Sequence, residues 1–322
     1  MAEFDPPQEA VSPDEAFAIL SDEVRMNVLQ ELGETGGTMS FSELREAIGV
    51  DDPGRFNYHL NQLVGHFIRR ADEGYELRRP GRRIIEAVLA GAVTEAPDHE
   101  RTEVSWPCLY CETEPVEIDF QKEQLGVYCT ECEGSFGGTE GEDAVPAERQ
   151  RLFYNHLPAA GVRGRSAEEQ LLTSIHWSAT EVRHLSVGVC PRCSASVECE
   201  YVACEAHDSG EGICPTCNRR PGVILDYACT NCIFEIQTPL SMAFSANMRF
   251  IDFLREHGYN PIAPVRSSVH RILLDCEERI LSVDPLDVEV TFSVNGDELT
   301  FQVDESLDTL GDSDPYRRGL QR

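Results

Sequence analysis

Residues 40–70 read SFSELREAIGVDDPGRFNYHLNQLVGHFIRR, and this stretch decides the fold of the N-terminal part of the chain. Ser40 and Glu43 form a capping-box pattern that predicts the start of a short helix, which Gly49 ends. An aspartate-proline pair at residues 52–53 predicts the start of a second helix. Its apolar residues recur at the spacing of one helical face: Phe56, Leu60, Leu63 and Val64. Two helices joined by a glycine turn indicate a helix-turn-helix.

The flanking residues extend this pattern to a domain over residues 12–94. Upstream, a second capping box at residues 12–15 predicts two further helices. Downstream, residues 67–71 and 75–78 are strand-like and are separated by Asp72-Glu73-Gly74, a typical hairpin turn. This hairpin is predicted to be a wing, and a last helix is predicted over residues 80–93.

Three segments of this domain resemble the ArsR-type winged helix-turn-helix of bacterial and archaeal transcriptional regulators: AILSDEVRMNVLQEL (18–32), SFSELREAIG (40–49) and RFNYHLNQLVGHFIRR (55–70). The resemblance covers residues 13–93. It implies that FNYHLNQL lies in a DNA-recognition helix, and that a homodimer forms through the terminal helices, here 13–20 and 80–93. Ile85 or Val88 and Leu89 would then be exposed at the seam. The family's metal-sensing cysteines are absent from this segment, so metal sensing is not implied.

The charge distribution favours double-stranded DNA as a partner. Residues 54–83 hold seven arginines and three acids, a local charge of +4 in a chain of net charge −30. A basic patch on an acidic body is typical of a surface that meets phosphate. If the apolar face of the second helix is buried, its predicted base-contacting residues are Arg55, Asn57, Tyr58, Asn61 and Gln62. Phosphate contacts are predicted for Arg69, Arg70, Arg78 and Arg79 around the wing. Winged helices also dock proteins, which is the alternative interpretation of this domain. His59 borders the buried side of the second helix, and it is predicted to have either a structural or a functional role.

The overall composition indicates a particular cellular setting. The chain has 57 acidic residues and, among its 27 basic residues, only one lysine, Lys122. An acidic, lysine-poor surface resembles the proteins of salt-accumulating halophilic archaea. The N-terminus is acidic and lacks the apolar core of a secretory signal, and the longest nearly apolar run, 84–93, is too short to span a membrane. We therefore expect a cytoplasmic protein without a membrane partner.

Twelve of the 13 cysteines lie between Cys108 and Cys232, mostly in CxxC pairs, and this pattern indicates metal rather than disulfides. The first unit, residues 106–139, contains CxxC-x17-CxxC. Its predicted ligands are Cys108, Cys111, Cys129 and Cys132. Four thiolates close a tetrahedral zinc site, so this is predicted to be a structural zinc ribbon.

The second cysteine unit, residues 187–238, holds eight ligands and therefore predicts two zinc ions, making three in the chain. Its predicted ligands are Cys190, Cys193, Cys204, His207, Cys214, Cys217, Cys229 and Cys232. A weak internal repeat favours a nested arrangement, with the outer two pairs as a second ribbon and the inner four ligands as an insertion. A crossed pairing is the alternative, since 20 residues separate Cys193 from Cys214. Cys199 and Cys276 are expected in the core.

The remaining segments complete an α+β, multidomain fold class: a winged helix-turn-helix, zinc-ribbon-like units and a small mixed α/β C-terminal region. Residues 95–105 are predicted as a polar linker, 147–186 as a helical connector, 239–306 as the α/β region and 307–322 as a polar tail. Helices are predicted over 242–257 and 271–281, and a hairpin over 288–303 with an Asn-Gly turn.

These observations together predict a sequence-specific DNA-binding transcriptional regulator with structural zinc sites, and no enzyme. The archaeal initiation factor E also joins a winged helix to a four-cysteine ribbon, so a general factor contacting RNA polymerase is the first alternative. A zinc-dependent enzyme is disfavoured because nearly all ligands are thiolates and no general base adjoins them.

Overall fold

The computed structural model of the chain describes residues 11–136, 150–208, 210, 212–261 and 268–310. These residues form two compact units: unit 1, Met1–Glu95, and unit 2, Ala96–Arg322. The class is α+β, with helices in the N-terminal unit followed by small antiparallel sheets, as the sequence predicts. The end of the first ribbon unit at 139, the start of the connector at 147 and the tail beyond 310 lie outside the described residues.

Unit 1 has the predicted order of helices and hairpin. Its helices are α1 (Pro13–Leu20), α2 (Glu23–Thr35), α3 (Phe41–Ile48), α4 (Pro53–Leu63) and α5 (Arg79–Leu89), and its strands are β1 (Ile68–Ala71) and β2 (Gly74–Leu77). Both predicted capping boxes form, at Ser12 and Ser40, because each serine side chain accepts a backbone N–H that the first turn leaves unpaired. Gly49 ends α3 at a φ of 74°, a conformation that favours glycine.

A single apolar core holds unit 1 together. Leu29, Leu44, Phe56 and Leu60 are fully buried at its centre. Ile85 is only 2% exposed and belongs to the same core, so its predicted place on an exposed dimer seam is wrong. Its helix packs against α2, and burying a branched apolar side chain there stabilises the unit by about 2 kcal/mol.

Unit 2 begins with a four-stranded antiparallel sheet in the order β3 (His99–Val104), β4 (Val116–Gln121), β5 (Gln124–Cys129) and β6 (Arg151–His156). The helix α6 (Ala167–Ser186) packs against this sheet through Leu171 and Ile175. Two predictions are corrected here. The segment read as a polar linker, 95–105, contributes β3, and the first part of the helical connector is the edge strand β6, which pairs with β5.

Two further three-stranded sheets share one core. They contain β7 (Val197–Ala203), β8 (Val223–Cys229) and β9 (Glu235–Pro239), and then β10 (Glu277–Val283), β11 (Leu286–Val294) and β12 (Asp297–Asp304). Leu225 on β8 and Phe292 on β11 lie in the same buried cluster, together with Phe244 and Phe250. The predicted boundary at residues 238/239 therefore runs through a single hydrophobic core.

Two predicted helices of the C-terminal region are shorter than expected. The first splits into a 3-10 helix, Leu240–Ala246, and α7 (Met248–Glu256), because Asn247 accepts the backbone N–H of Phe250 and starts a new helix. The second ends early: α8 (Ser268–Leu274) gives way to β10, which pairs with β11. The predicted hairpin of β11 and β12 is confirmed, with Asn295 and Gly296 both at positive φ in its turn.

Candidate metal centres and nucleic-acid-binding face

The first candidate metal centre joins two CxxC pairs, here called knuckles, at one end of the β4–β5 hairpin. Cys108 and Cys111 precede β4, while Cys129 ends β5 and Cys132 follows it. The Sγ atoms of Cys108 and Cys132 are 3.6 Å apart, and those of Cys111 and Cys129 are 3.5 Å apart. The backbone N–H groups of Glu131 and Cys132 donate to the Cys129 sulfur, which holds this sulfur in place.

The second centre repeats this construction on the β7–β8 hairpin. Its ligands are Cys190, Cys193, Cys229 and Cys232. The registers also match: Val197 pairs with Cys229 as Val116 pairs with Cys129. This is the nested arrangement favoured by the internal repeat, and the crossed pairing is not formed.

The third centre lies in the insertion between β7 and β8. It gathers Cys204, His207, Cys214 and Cys217, with the Cys217 sulfur 3.5 Å from Nδ1 of His207. The N–H of Cys204 donates to the carbonyl of Gly222, which closes the neck of the insertion. A Cβ at Gly222 would come within 2.8 Å of the His207 ring, so this close approach requires glycine.

The geometry of all three groups fits a tetrahedral metal ion. Within each group the ligand atoms lie within 4.8 Å of one another. Zinc–sulfur bonds of about 2.3 Å in a tetrahedron place sulfurs about 3.8 Å apart. Within each of the two ribbons, neighbouring sulfur atoms lie 3.5–3.7 Å apart, far more than the roughly 2.05 Å of a disulfide bond. These twelve residues can therefore hold three metal ions, each with four protein ligands.

Hydrogen bonding and burial shift the pKa values of individual cysteine thiols among the candidate ligands. The backbone N–H of Cys232 is the main cause that lowers the pKa of Cys229 to about 6. By contrast, burial raises the pKa of Cys108 above the ordinary value for a thiol. Because a metal ion binds the thiolate, a partner cation at Cys108 would offset the cost of ionising a buried sulfur.

The predicted base-contacting residues lie together on the exposed face of α4. All five are exposed: Arg55, Asn57, Tyr58, Asn61 and Gln62. The opposite face carries Phe56, Leu60 and Leu63 into the core. His59 is buried on the core side, with Nδ1 3.1 Å from a carboxylate oxygen of Asp22, so it has the structural role of its two predicted alternatives.

The wing arginines differ in their surroundings. Arg70 donates to the Asn61 side chain over 3.2 Å and so links the wing to α4. Arg69 pairs with Glu76 across the hairpin, and Arg79 is exposed at the start of α5. Arg78 is only partly exposed, and its guanidinium donates to the backbone carbonyls of Gly65 and His66. Arg78 therefore holds the loop after α4 in place, a structural role that was not predicted from the sequence.

Replacement of Arg78 by alanine is expected to loosen the loop between α4 and the wing. Two backbone carbonyls would lose a charged donor, which costs about 1–3 kcal/mol. Hydrogen-exchange mass spectrometry of the full chain measures this as faster exchange over residues 63–78. The matched variant Arg79→Ala should change exchange there by less than about 0.5 kcal/mol. Equal protection in both variants would show that Arg78 has no such role.

Comparison with known proteins identifies two families along the chain. Residues 105–309 match a family described as Domain of unknown function (DUF7351). The chain belongs to this family. The DUF7351 match contains all three metal-ligand groups and falls within unit 2, while residues 13–88 in unit 1 match Domain of unknown function (DUF7347). No curated protein and no solved structure matches the chain.

The DUF7351 part also contains buried polar groups that the sequence analysis missed. His270 on α8 is 6% exposed, and Glu278 lies on β10, in a segment predicted as helix. A strand signal was present, since Glu278 and Ile280 alternate with exposed residues. As for membranes, none of the described helices combines the length and apolar character that a bilayer crossing requires.

Proposed function

We propose that the chain is a sequence-specific, double-stranded-DNA-binding transcriptional regulator, in which unit 1 reads the DNA. The observation that carries this proposal is the exposed face of α4, where Arg55, Asn57, Tyr58, Asn61 and Gln62 lie side by side. Arginine, asparagine and glutamine side chains pair with base edges in the major groove. The wing adds exposed Arg69 and Arg70 for phosphate contacts. The resemblance to ArsR-type regulators supports the same function.

We further propose that unit 2 carries three structural zinc ions. Eleven thiolates and one imidazole form a donor set that suits zinc, and four protein ligands complete each tetrahedron. A bound zinc would hold the knuckles of each ribbon together. No position would remain on it for a substrate, which is why a zinc-dependent enzyme stays disfavoured.

Genome-wide occupancy of a tagged full-length chain tests the regulator function. The expected result is a set of discrete promoters that share a sequence motif. Occupancy at most active promoters, together with co-purification of RNA polymerase, would replace the proposal by the alternative of an initiation-factor-E-like general factor. No enrichment on DNA at all would contradict both and favour a protein-docking winged helix.

We propose a homodimer through α1 and α5. With Ile85 buried, the exposed apolar side chains available for the seam are Phe17, Leu89 and Val93, which are 70%, 48% and 72% exposed. Phe17 lies on α1, Leu89 ends α5 and Val93 follows α5. A contiguous patch of exposed large apolar side chains is typical of an interface.

The double variant Phe17→Glu/Leu89→Glu is therefore expected to be a monomer, because buried unpaired carboxylates oppose association. Multi-angle light scattering on the wild-type chain should give a mass near 72 kDa, twice the 35.9 kDa of one chain. The control Ile233→Glu, at a fully exposed site in unit 2, should leave the mass unchanged. A dimeric double variant would contradict this seam.

A further inference from the structure

Unit 2 encloses a cavity of about 360 Å³ that no metal centre occupies. Its walls come from α6, β6, β9, α8 and the segment that follows the third metal centre. Apolar side chains form much of the lining: Phe136, Leu152, Phe153, Val182, Met242 and Leu274. The volume lies within the roughly 300–1,000 Å³ of small-molecule sites, which carry a few convergent polar groups. The lining of this cavity is about equally polar and apolar.

Two polar side chains in these walls have a buried atom without the partner that buried polar groups normally have. One oxygen of Glu278, Oε2, accepts the N–H groups of Gly222 and Val223 at 2.6 and 3.2 Å. Its other oxygen, Oε1, and the hydroxyl of Thr238 have no hydrogen-bond partner among the described residues. His270, which is 6% exposed, also lines the cavity and stacks on Phe153, with the two ring centroids 5.5 Å apart.

Such groups are rare, because an unpaired buried polar group costs about 1–3 kcal/mol. Two of them beside one cavity, on β9 and β10, indicate a site whose occupant supplies the missing partners. A cavity of this size with this many polar contacts has room for far more than one ordered water.

The charges of the walls select the class of occupant. Asp275, Glu277 and Glu278 line the cavity against one arginine, Arg220. That arginine is engaged already, since it donates to the carbonyl of Gly134 over 2.7 Å and lies 4.1 Å from the Tyr110 ring. A cationic head is therefore favoured and a carboxylate disfavoured.

The pKa shifts of Glu278 and His270 are consistent with an occupant that has a cationic head. Burial raises the pKa of Glu278 to about 7, although the N–H groups of Gly222 and Val223 and the charge of Arg219 act in the opposite direction. A further cation in the cavity would stabilise its carboxylate. Burial also lowers the pKa of His270 to about 4, which leaves its ring neutral and able to donate one hydrogen bond and accept another.

We propose that this cavity binds a small organic amine with a ring-containing apolar body. The body packs against Phe153 and Met242, and the ammonium group pairs with the carboxylate of Glu278. This site does not depend on the proposed DNA binding by unit 1. Because His207 of the third metal centre also lines the cavity, the site is complete only in the metal-loaded chain.

Calorimetry and ligand-observed NMR on the metal-loaded full chain test this with tryptamine as the probe and indole-3-acetate as its anionic counterpart. Tryptamine is expected to bind at least about tenfold more tightly than indole-3-acetate, a difference of about 1.4 kcal/mol. Glu278→Gln keeps an oxygen for the two backbone N–H groups but removes the charge, and should weaken tryptamine by about tenfold or more. Ser178→Phe, from the wall on α6, should abolish binding by filling the cavity.

The control Glu298→Gln, at an exposed position of β12, should bind tryptamine like the wild-type chain. Circular dichroism and metal content verify that each variant is folded. Saturable binding that is equal in the wild-type chain and in Ser178→Phe or Glu278→Gln would overturn the proposal. So would equal affinity for indole-3-acetate, or the absence of saturable binding of tryptamine, phenethylamine and benzylamine up to about 10 mM. DNA binding by unit 1 is measured separately, so failure here leaves that proposal untouched.

Discussion

Removal of the proposed zinc ions is expected to unfold unit 2, while unit 1 keeps its helices. The two ribbon hairpins depend on a metal ion to join their knuckles. A structural zinc ion contributes an apparent free energy of roughly 10–16 kcal/mol to the folding of a small domain. Both tryptophans of the chain, Trp106 and Trp177, lie in unit 2, so tryptophan fluorescence reports on that unit alone. Addition of a strong chelator should shift the emission of buried Trp106 to longer wavelength. The helical circular dichroism of unit 1 should remain.

Single ligand variants assign the three sites. The wild-type chain should hold three equivalents of zinc, and Cys111→Ser, Cys193→Ser and Cys217→Ser should each hold two. The matched control is Cys199→Ser, because Cys199 is a partly buried cysteine on β7 that belongs to no ligand group. Elemental analysis of the purified proteins gives the counts. Three equivalents retained in a ligand variant, or lost in the control, would contradict the assignment.

Replacement of Arg55, Asn57 and Tyr58 together by alanine is expected to remove DNA sequence discrimination without unfolding unit 1. All three side chains are exposed on α4, so the core residues Phe56 and Leu60 keep their contacts. Each well-placed base contact contributes about 1–3 kcal/mol of discrimination, so the loss of three contacts should cost on the order of 3–9 kcal/mol. Contacts from the wing to phosphate remain, and non-specific binding should therefore persist.

In vitro selection of duplexes with the wild-type chain supplies the test sites. The triple variant should bind selected and scrambled duplexes alike, while the control Arg255→Ala, an exposed arginine on α7 in unit 2, should still distinguish them. Circular dichroism and a thermal melt verify that unit 1 is folded. Recovery of the same duplexes by the triple variant would refute DNA reading by this face of α4.

Unit 1 was predictable from sequence because its signals are local. Ser12, Ser40 and Gly49 each mark a helix end through contacts within four residues, and the structure has those ends. The exposed face of α4 follows from helical periodicity once the apolar stripe is recognised. The exception, Ile85, was placed by resemblance to a family, whereas its burial is set by packing against α2 and β2.

The errors in unit 2 have one physical origin. Arg151–His156 is a strand because its backbone pairs with β5, and residues 277–283 form β10 because β11 lies beside them. Both segments have apolar residues at spacings that also fit a helix, so only contacts distant in sequence decide between the two. The metal ligands could be predicted because the spacing of the cysteines along the chain itself indicates metal binding. Glu278 and His270 come to line the same cavity only after the strands have paired.

The nesting of one metal centre inside the loop of another implies an order of assembly. Between Cys193 and Cys229 the chain must close a loop of 35 residues, while Cys204 to Cys217 spans a short local stretch. Entropy opposes closure more strongly as the free loop lengthens. Capture of an ion by the inner four ligands shortens the free chain, and the outer ribbon then closes at lower entropic cost. Loading of the proposed zinc ions is thus expected to begin at the inner four ligands and to end at the outer ribbon.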